Sequence, residues 1–568
     1  MKRTILAILI IILIASCRDG KNDNMAGMQE GHRIIAWNGA VVSAHPEASK
    51  IGTYILMKGG NAVDAAVATE FALAVCYPAA GNIGGGGFML IRTSDGATEV
   101  IDYREKAPLQ ADRNMYLGID GNIIDGLSTT THLASGVPGT VDGMLKAHKK
   151  YGKLKFAELI QPSIDLAENG FHLSSSQASS LKANRENFIN RNSNRPAFVK
   201  DSLWKEGDIL VQADLAETLK RIRDNGRDGF YSGKTADLIT REMQRGKGLI
   251  TAKDLDEYQS MVRSTLTGDC RGYRILTVPP PSGGGIILMQ LLKMTETYPL
   301  NEWGFHSAEA IHLIIEAERR AFADRSEHSG DPDFINVPVS SLIDSGYLLT
   351  RMKDFNPFKA SLSSEIKAGF PYQGESTETT HYSVVDKDGN AVAATTTLNG
   401  SYGSSIVVEG AGFLLNNEMD DFSTKPGFPN MFGLTGGEAN SIEPGKRMLS
   451  SMTPVIVEKD GKLFLVAGSP GGSTIPTSVF QVVINSIAYG MDIGEAVDTP
   501  RFHHQWLPDN ITVEANAIDS TTLSKLSGMG HVMRPVSAIG RVNAIMVTDD
   551  GKRIAAGDRR GNNSACGY

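Results

Sequence analysis

Four stretches of the chain alternate apolar and polar residues on both sides of an Asp-Gly pair. Alternation with period two is typical of a strand with one buried face, and Asp-Gly favours a tight turn because both residues tolerate a positive φ. The pattern therefore predicts four antiparallel hairpins. Their turns are Asp95-Gly96, Asp388-Gly389, Asp460-Gly461 and Asp550-Gly551. Three of these turns follow residue 378, so the last third of the chain is predicted to be mainly sheet.

Three other stretches carry apolar residues at helical spacing. They run from Asn61 to Val75, from Gly285 to Glu296 and from Ser307 to Asp324. Ser307 favours a helix start because its side chain can accept a hydrogen bond from a free backbone N–H. Helices combined with a partly antiparallel sheet predict a layered α+β or αββα body.

The first residues are typical of an export signal. Met1-Lys2-Arg3 is basic, and Ile5 to Ile14 is an unbroken apolar run. Ten apolar residues cover about 15 Å as a helix, half of a bilayer core, which favours a signal peptide over a transmembrane helix. Ile14-Ala15-Ser16-Cys17 resembles the bacterial lipobox, in which the cysteine receives a lipid. An ordinary secretory signal with a chance cysteine is the alternative.

We therefore expect residues 1–16 to be a lipoprotein signal peptide and the polar residues 17–32 to be a flexible tether. The predicted location is the bacterial cell envelope, in the periplasm or at the outer surface. A lipid on Cys17 would then be the only attachment to a membrane.

Composition excludes several classes of function. The 568 residues carry a formal charge of −8 without a long basic run, which disfavours nucleic-acid binding. The four cysteines lack metal-ligand spacing, so neither a zinc ribbon nor a disulfide scaffold is indicated, although pairing of Cys76, Cys270 and Cys566 stays open. The 60 glycines include runs such as Gly84 to Gly87, which indicate tight turns or backbone close to a ligand.

Common catalytic motifs are absent from the sequence: it contains no GxSxG, HExxH or GxxxxGK[ST]. His503-His504 could suggest a metal site, but adjacent residues of a strand point to opposite faces, which favours a structural role. Glu378 is followed by Thr379-Thr380 at the start of a predicted strand. Taken alone, a threonine at that position is more typical of a strand former than of a catalytic residue.

Several motifs in a fixed order carry more information than any one of them. They are Gly59–Ala66, Asp102–Glu105, Ser135–Gly139, Thr379–Val384, Thr397–Asn399, Leu415–Phe422, Lys446–Pro454, Gly468–Gly472 and Pro500–Gln505. In this order, over residues 33–568, the sequence resembles the γ-glutamyltranspeptidase family. The resemblance implies the αββα fold of the N-terminal nucleophile (Ntn) hydrolases.

Members of this family cut themselves and use the new N-terminal threonine as nucleophile. By resemblance, the cut falls between Glu378 and Thr379 and yields a large subunit, residues 33–378, and a small catalytic subunit, residues 379–568. A threonine hydroxyl is a weak nucleophile until a base takes its proton. Cleavage supplies that base, because the freed α-amine has a pKa of about 7.7 to 8.0.

The resemblance also implies roles for three residues beside the nucleophile. Thr397 lies on the return strand of the Asp388-Gly389 hairpin and would support Thr379 through a hydrogen bond; a plain cross-strand threonine pair is the alternative. Gly471 and Gly472 would form an oxyanion hole from backbone N–H groups. Without the resemblance, these two glycines indicate only a turn between a strand and a helix.

A γ-glutamyl group presents an α-carboxylate and an α-ammonium, which need opposite partners. The resemblance assigns Arg104, Ser450 and Ser451 to the carboxylate, and Asn399, Glu418 and Asp421 to the ammonium. Residues Pro426 to Asn440 are rich in Gly, Pro and Asn and resemble the lid loop of some members. A surface excursion is the alternative for that segment.

The function implied is a γ-glutamyl transferase and hydrolase that acts on glutathione and other γ-glutamyl amides, with water, an amino acid or a peptide as acceptor. This chemistry needs neither a metal nor an organic cofactor, and the two subunits would remain together as a heterodimer. Two alternatives stay open. A glutaryl or cephalosporin acylase would lack part of the ammonium set, and a non-catalytic binding lipoprotein on the same fold would remain one uncut chain.

Overall fold

The computed structural model describes residues 27–369, 380–425, 427–431, 433–434 and 438–568. The predicted signal peptide, Cys17, Glu378 and Thr379 lie outside the described residues, as does part of the predicted lid. In the described ranges, no helix combines the length and the apolarity that crossing a membrane requires.

Strands and helices follow one another along the whole described chain. The strands are β1 Gln29–Gly31, β2 Arg33–Ala36, β3 Ala40–Ser43, β4 Gly86–Arg92, β5 Thr98–Asp102, β6 Phe171–His172, β7 Ile209–Leu210, β8 Met261–Arg263, β9 Leu266–Cys270, β10 Tyr273–Thr277, β11 Thr380–Val385, β12 Ala391–Thr397, β13 Val455–Lys459, β14 Lys462–Gly468, β15 Phe502–His503, β16 Ile511–Glu514, β17 Met533–Val536, β18 Asn543–Val547, β19 Arg553–Gly557 and β20 Ser564–Gly567.

The helices are α1 Pro46–Met57, α2 Ala62–Cys76, α3 Thr140–Tyr151, α4 Phe156–Asn169, α5 Ser175–Ala183, α6 Arg185–Arg191, α7 Ala213–Asn225, α8 Asp228–Tyr231, α9 Gly233–Gly246, α10 Ala252–Glu257, α11 Gly284–Glu296, α12 Leu300–Trp303, α13 Ala308–His328, α14 Val339–Leu342, α15 Ser345–Arg351, α16 Ile475–Ile487, α17 Ile493–Asp498 and α18 Ser520–Gly528. Short 3-10 turns include Glu418–Asp421 and Gly472–Thr474.

Two large sheets form the centre of the molecule. One has eight strands in the order β1-β20-β3-β11-β12-β4-β5-β8, and the other has seven in the order β2-β19-β18-β14-β13-β10-β9. Apolar side chains of both sheets, among them Phe88, Val385, Ile456 and Ile545, form a shared core between them. Each sheet contains strands from both sides of residue 378, so neither could form from one side alone.

Helices cover the outer face of each sheet. The core beside the eight-stranded sheet includes α1, α2 and α4, and the core beside the seven-stranded sheet includes α11, α13, α16 and α17. The order of layers is therefore helix, sheet, sheet, helix. This arrangement confirms the predicted αββα fold.

All four predicted hairpins are present, as β4–β5, β11–β12, β13–β14 and β18–β19. The second turn residue has a positive φ in each case, with values of +87°, +87°, +75° and +84° for Gly96, Gly389, Gly461 and Gly551. Glycine adopts such angles without strain, which explains why the Asp-Gly pairs mark the turns correctly.

The three predicted helices correspond to α2, α11 and α13, with ends within a few residues of those expected. The side chain of Asn61 caps α2 and forms a capping box with Asp64. Ser307 caps α13, where its hydroxyl oxygen accepts a hydrogen bond from the Ala310 N–H at 3.1 Å. Both caps satisfy N–H groups that the first turn of a helix leaves without an internal partner.

Candidate active site

The open end of the β11–β12 hairpin carries Thr380 and Thr397, the described residues next to the predicted cleavage site and on the return strand. The register pairs Thr380 with Thr396, and on its other side β12 pairs Thr397 with Gly86 of β4. Side chains of a strand alternate between faces, so Thr397 shares a face with Thr395. Thr379 precedes Thr380 in the sequence and lies outside the described residues.

Glycines let β4 approach β12 closely at this end. A Cβ on Gly85 would clash with the carbonyl oxygen of Thr397, and one on Gly87 would clash with that of Thr395. The run from Gly84 to Gly87 was expected to mark a turn or contact with a ligand, and what it approaches here is the backbone of a neighbouring strand. Asn82 adds to the contact, since its Nδ2 donates to the Thr397 carbonyl at 2.8 Å.

His381 lies between the two sheets, directly after Thr380. Ser383 donates to the carbonyl of Asn543 at 3.1 Å, so its oxygen accepts from His381 Nε2–H at 3.0 Å. Nδ1 then accepts from the Thr395 hydroxyl at 2.9 Å. Burial lowers the pKa of His381 to about 3. The neutral ring therefore links β11 to Thr395 of β12 through hydrogen bonds.

Gly471 and Gly472 form the turn between β14 and α16, as the pattern alone indicated. Their φ values are +133° and +64°, which side chains with a Cβ rarely adopt. Gly540 packs against the turn, with its Cα 3.2 Å from the place where a Gly471 Cβ would stand. A helix start concentrates free N–H groups and a partial positive charge, which suits a developing oxyanion.

Arg104 is fully buried in a set of carboxyl groups. Its guanidinium donates hydrogen bonds to Glu418 and Asp421, and it lies 3.4 Å from Glu105. It also donates to the carbonyl oxygens of Met448 and Leu449 at 3.2 and 3.0 Å. We call the four charged side chains the acidic cluster: Arg104, Glu105, Glu418 and Asp421.

One guanidinium cannot neutralise three carboxylates, so the acidic cluster carries excess negative charge when all of them ionise. Burial, opposed by Arg104, raises the pKa of Glu105 to about 7. Burial also raises the pKa of Glu418 well above its usual range, against the attraction of Arg104. Burial is the main cause of both shifts, and the charge of Arg104 does not offset it. A cation bound there would lower both pKa values and stabilise the ionised carboxylates.

The acidic cluster is attached directly to the hairpin end. A Cβ on Gly86 would stand 2.7 Å from a Glu105 carboxylate oxygen, and Gly86 pairs with Thr397. Asn416 gives a second connection, because its Oδ1 accepts from Glu418 N–H at 3.0 Å and its Nδ2 donates to the Gly84 carbonyl at 2.8 Å. Sequence reasoning named Glu418 but missed the positioning role of Asn416.

Asn399 follows β12 in a left-handed conformation, with φ of +70°. Its N–H donates to the Thr397 hydroxyl at 2.7 Å, and its side-chain amide donates to the carbonyl of Asn417 at 3.0 Å. Asn417 in turn accepts from Gly400 N–H at 2.9 Å. The structure thus brings Asn399 between Thr397 and the segment that carries Glu418 and Asp421.

Ser450 and Ser451 lie on the segment that also supplies carbonyl oxygens to Arg104. Arg325 of α13 donates to the Ser451 hydroxyl at 2.6 Å. Ser450 accepts from Met452 N–H at 3.1 Å. Arg325 is a second cation near this segment that sequence reasoning missed, because no motif distinguishes it from the other charged residues of its helix.

Part of the predicted lid, Pro426 to Asn440, is described. Phe428, Met431 and Leu434 line a cavity of about 260 Å³ together with Asp420, the neighbour of Asp421 in the chain. Met431 N–H donates to Asp420 at 3.3 Å. The described part of this segment therefore packs beside the acidic cluster, while its action as a lid stays a prediction.

Potential metal ligands meet elsewhere, in the helical layer. His312, Glu316 and His531 offer ligand atoms within 4.8 Å of one another. Glu316, however, already accepts from Arg320 at 2.7 Å and from the Ser361 hydroxyl at 2.6 Å. Its charge is therefore neutralised within the protein. His503 and His504 bond Thr477 and Asp509 respectively, as a structural role requires.

The cysteine pairing left open by the sequence has a clear outcome within the described residues. Cys76, Cys270 and Cys566 are buried and free. None of the three belongs to the hairpin end or the acidic cluster.

Two facing sheets between helical layers, with a threonine-rich hairpin end beside a buried cluster of charged side chains, define the chain as an Ntn hydrolase fold. Residues 48–568 match the family model described as Gamma-glutamyltranspeptidase. The chain belongs to the γ-glutamyltranspeptidase family, which confirms the resemblance seen in the sequence.

Similar proteins agree with this assignment. The chain is 48% identical over 535 residues to the glutathione hydrolase proenzyme of Escherichia coli strain K12, covering 93% of this chain and 91% of that protein. The structure of cephalosporin acylase from Bacillus halodurans matches with a TM-score of 0.84 at 25% identity, covering 95% and 97%. Helicobacter pylori gamma-glutamyltranspeptidase matches with a TM-score of 0.57 at 47% identity, covering 58% of this chain and 94% of that one.

Proposed function

We propose that the protein is a γ-glutamyl transferase and hydrolase that acts on glutathione and other γ-glutamyl amides. The observation that carries the proposal is the acidic cluster, which is buried, short of positive charge and packed against the strand pair of Thr397. A γ-glutamyl substrate supplies the missing cation as its α-ammonium. Membership of the family and the likeness to a glutathione hydrolase proenzyme support the same function.

The α-amino acid end of the substrate fits the acidic cluster by exchange of ion pairs. The α-carboxylate takes over the guanidinium of Arg104 and accepts from the hydroxyls of Ser450 and Ser451. The α-ammonium takes over the carboxylates of Glu418 and Asp421, with the amide oxygen of Asn399 as a further acceptor. Each buried charge then keeps a partner, so binding avoids the large cost of an unpaired charge.

The proposed reaction then takes place at the γ-carbonyl group of the bound substrate. After cleavage between Glu378 and Thr379, the α-amine of Thr379 accepts the hydroxyl proton as the oxygen attacks the carbonyl carbon. The backbone N–H groups of Gly471 and Gly472 stabilise the oxyanion, and Thr397 positions the attacking hydroxyl. The amide C–N bond breaks, and the leaving amine receives the proton. Water or an acceptor amine then attacks the γ-glutamyl ester and releases Thr379.

The fold explains why the two subunits would stay together after the cut. Each sheet combines strands from both sides of residue 378, so separating the two subunits would break both sheets and expose the core between them. We propose a heterodimer of residues 33–378 and 379–568. The signal-like start further supports export to the cell envelope and a lipid on Cys17, and the mass of the membrane-extracted protein tests that modification.

An acylase for glutaryl or cephalosporin-type amides is the second candidate, favoured by the likeness to the Bacillus halodurans acylase. The complete ammonium set argues for the γ-glutamyl substrate, because a glutaryl group has no ammonium to pair with Glu418 and Asp421. Comparing γ-glutamyl-p-nitroanilide with glutaryl-p-nitroanilide distinguishes the two. A preference for the glutaryl compound would favour the acylase.

Denaturing intact mass of the wild type and of Thr379→Ala tests the proposed mechanism. We expect a wild-type fragment of about 20 kDa that begins at Thr379, in proportion to the 61.0 kDa of the whole chain, and an uncut variant. One full-length species in both would contradict self-cleavage and leave the binding lipoprotein as the better interpretation.

A further inference from the structure

Helix α2 places a carboxyl group, that of Glu70, behind the hairpin end, and the mechanism above does not use it. Glu70 is fully buried. The hydroxyls of Thr396 and Tyr382 are near enough to act on its pKa, but neither carboxyl oxygen forms a hydrogen bond of normal geometry with a described residue. The Tyr382 hydroxyl is unpaired in the same sense. Buried polar groups without a hydrogen bond are rare, so these neighbouring groups are candidates for partners of one another.

Glu70 approaches the hairpin end from the face opposite to that of Thr397. Ala393 of β12 packs in the core between the two sheets. Because side chains alternate along a strand, Thr397 faces the same way as Ala393, and Thr396 faces α2. Thr396 also pairs with Thr380, the first described residue after the predicted cleavage site. A group that bonds Thr396 therefore holds the strand segment next to the proposed nucleophile.

The hydrogen bonds of Thr396 decide which form of Glu70 fits beside it. The Thr396 hydroxyl donates its one hydrogen to the carbonyl of Gly86 at 3.1 Å. Asn82 Nδ2 donates to the same hydroxyl oxygen at 3.3 Å. Since its hydrogen is already used, Thr396 can only accept a bond from Glu70. A carboxylate has no hydrogen to donate, so only the neutral acid can bond Thr396, while its other oxygen accepts from the Tyr382 hydroxyl.

The surroundings of Glu70 offer no positive charge. Helices α1, α3 and α4 and strands β11 and β12 pack against α2, and no described charged side chain contributes to the pKa of Glu70. Burial raises that pKa to about 8, against the hydroxyls of Thr396 and Tyr382. The titratable groups that face Glu70 are the phenols of Tyr382 and Tyr103, whose own pKa values burial raises. An ionised Glu70 would therefore be a buried charge without an ion pair, which is unfavourable.

We propose that Glu70 is a positioning residue, which as a neutral acid holds Thr396 and the hairpin end in place and releases them when it ionises at alkaline pH. The inference rests on the proposed function, because it concerns the strand pair of the same active site. It adds a pH-dependent control that comes from the helical layer behind the sheet. The α-amine of Thr379 keeps its separate role as the base.

The pH dependence of kcat for γ-glutamyl-p-nitroanilide tests this inference. In the wild type we expect kcat to rise as the α-amine of Thr379 loses its proton, at a pKa of about 7.7 to 8.0, and then to fall about tenfold at alkaline pH as Glu70 ionises. In Glu70→Gln the amide offers a donor and an acceptor at every pH. Its kcat should therefore rise to a plateau without the alkaline fall.

Tyr382→Phe is a second variant with a predicted direction. The Tyr382 hydroxyl lowers the pKa of Glu70, so its removal should move the alkaline fall of kcat to a higher pH. Glu158→Gln is the matched control, because Glu158 is a partly exposed residue of α4 that lies 3.4 Å from Lys58. It should keep the wild-type pH profile.

The unfolding temperature gives a measurement that does not depend on activity. The folded pKa of Glu70 lies above its ordinary value of 4.5, so the wild type should lose stability relative to Glu70→Gln as the pH rises from 4.5 to about 8. Below pH 4.5 the difference between the two should stay constant. A difference that is also constant from pH 4.5 to 8 would contradict the neutral form of Glu70.

The outcomes separate this inference from the proposed function. A wild-type kcat without an alkaline fall, or a fall that persists unchanged in Glu70→Gln, would overturn the inference and leave the γ-glutamyl function intact. A wild type that releases no p-nitroaniline would contradict the proposed function and the positioning role with it. If Glu70→Gln does not fold, an unchanged pH profile in Tyr382→Phe would overturn the inference, and a shift to higher pH would support it.

Discussion

Two buried clusters of charge in this protein contain the same residue types and behave in opposite ways. The acidic cluster has three carboxyl groups around Arg104. The second, which we call the helix cluster, has two buried guanidinium groups around the single fully buried carboxylate of Glu316. Its members are Glu316, Arg319, Arg320, Asp354 and Asp509.

The ratio of acidic to basic groups decides whether the buried carboxyl groups of each cluster are ionised. Burial alone would raise the pKa of Glu316, but the hydrogen bond from Ser361 and the charges of Arg320 and Arg319 outweigh it and lower the pKa to about 2. In the acidic cluster, burial prevails and raises the pKa of Glu105 to about 7. The helix cluster therefore has enough internal partners for a structural role, whereas the acidic cluster would gain its missing positive charge from the ammonium of the proposed substrate.

Removing Arg104, the one cation of the acidic cluster, should reduce catalytic activity more than any other substitution in the two clusters. Arg104→Gln takes the positive charge of the guanidinium away from three buried carboxyl groups and from the substrate carboxylate. We expect kcat/KM for γ-glutamyl-p-nitroanilide to fall about 10²- to 10³-fold, as the loss of a buried ion pair predicts. Steady-state kinetics on the cleaved enzyme measures this. The kcat/KM of Arg104→Lys should lie between those of the wild type and Arg104→Gln. Unchanged kinetics in Arg104→Gln would contradict the role assigned to Arg104.

The corresponding change in the helix cluster should affect stability and not substrate binding. Glu316→Gln removes the one fully buried carboxylate that Arg319 and Arg320 share and leaves them only the partly exposed carboxylates of Asp509 and Asp354. We therefore expect the free energy of unfolding to fall by about 3 kcal/mol. The KM of the folded enzyme should not change. Denaturant titration and kinetics measure both quantities.

Glu309→Gln on the same helix is the control for that change. Glu309 is exposed and lies 3.5 Å from Lys525, so its loss should cost less than about 1 kcal/mol. If Glu309→Gln and Glu316→Gln lowered stability equally, the helix cluster would not have the structural role that its contacts indicate.

The pH dependence of stability should report the pKa of Glu316. Its folded pKa of about 2 lies below the ordinary value of 4.5, so its ionised form stabilises the fold above pH 4.5. That contribution is lost as the pH falls from 4.5 to about 2. The stability difference between wild type and Glu316→Gln should therefore shrink by about 3 kcal/mol over this window. Unfolding measured at several pH values tests it, and a constant difference would disprove it.

The smallest effect is expected for Glu418→Gln. Burial raises the pKa of Glu418 well above its usual range, against the attraction of Arg104, so a neutral amide of the same shape changes little before substrate binds. We expect KM to rise by no more than about tenfold, since Asp421 still faces the substrate ammonium. A loss as large as that of Arg104→Gln would show that the substrate needs the full charge of Glu418.

Local features of the chain were predictable. The Asp-Gly turns, the helix cap at Ser307 and the strand-to-helix turn at Gly471 depend on neighbours in the sequence, and the structure has all of them. The family resemblance named the residues of the site because their motifs occur in order. Arg325 was not predicted, because a lone arginine in a helix carries no local signal of its partners.

The sequence by itself determined where strands turn, where helices begin and which family the chain belongs to, because these depend on short-range conformational preference and on ordered motifs. Only the tertiary structure decided how many carboxylates surround each arginine. Arg104 and Glu418 are 314 residues apart in the chain, yet they share one buried hydrogen bond. Burial removes the water that would otherwise screen such charges, so the numbers of acidic and basic groups that meet in a cluster set their protonation. The same numbers distinguish the proposed binding site from a structural ion pair.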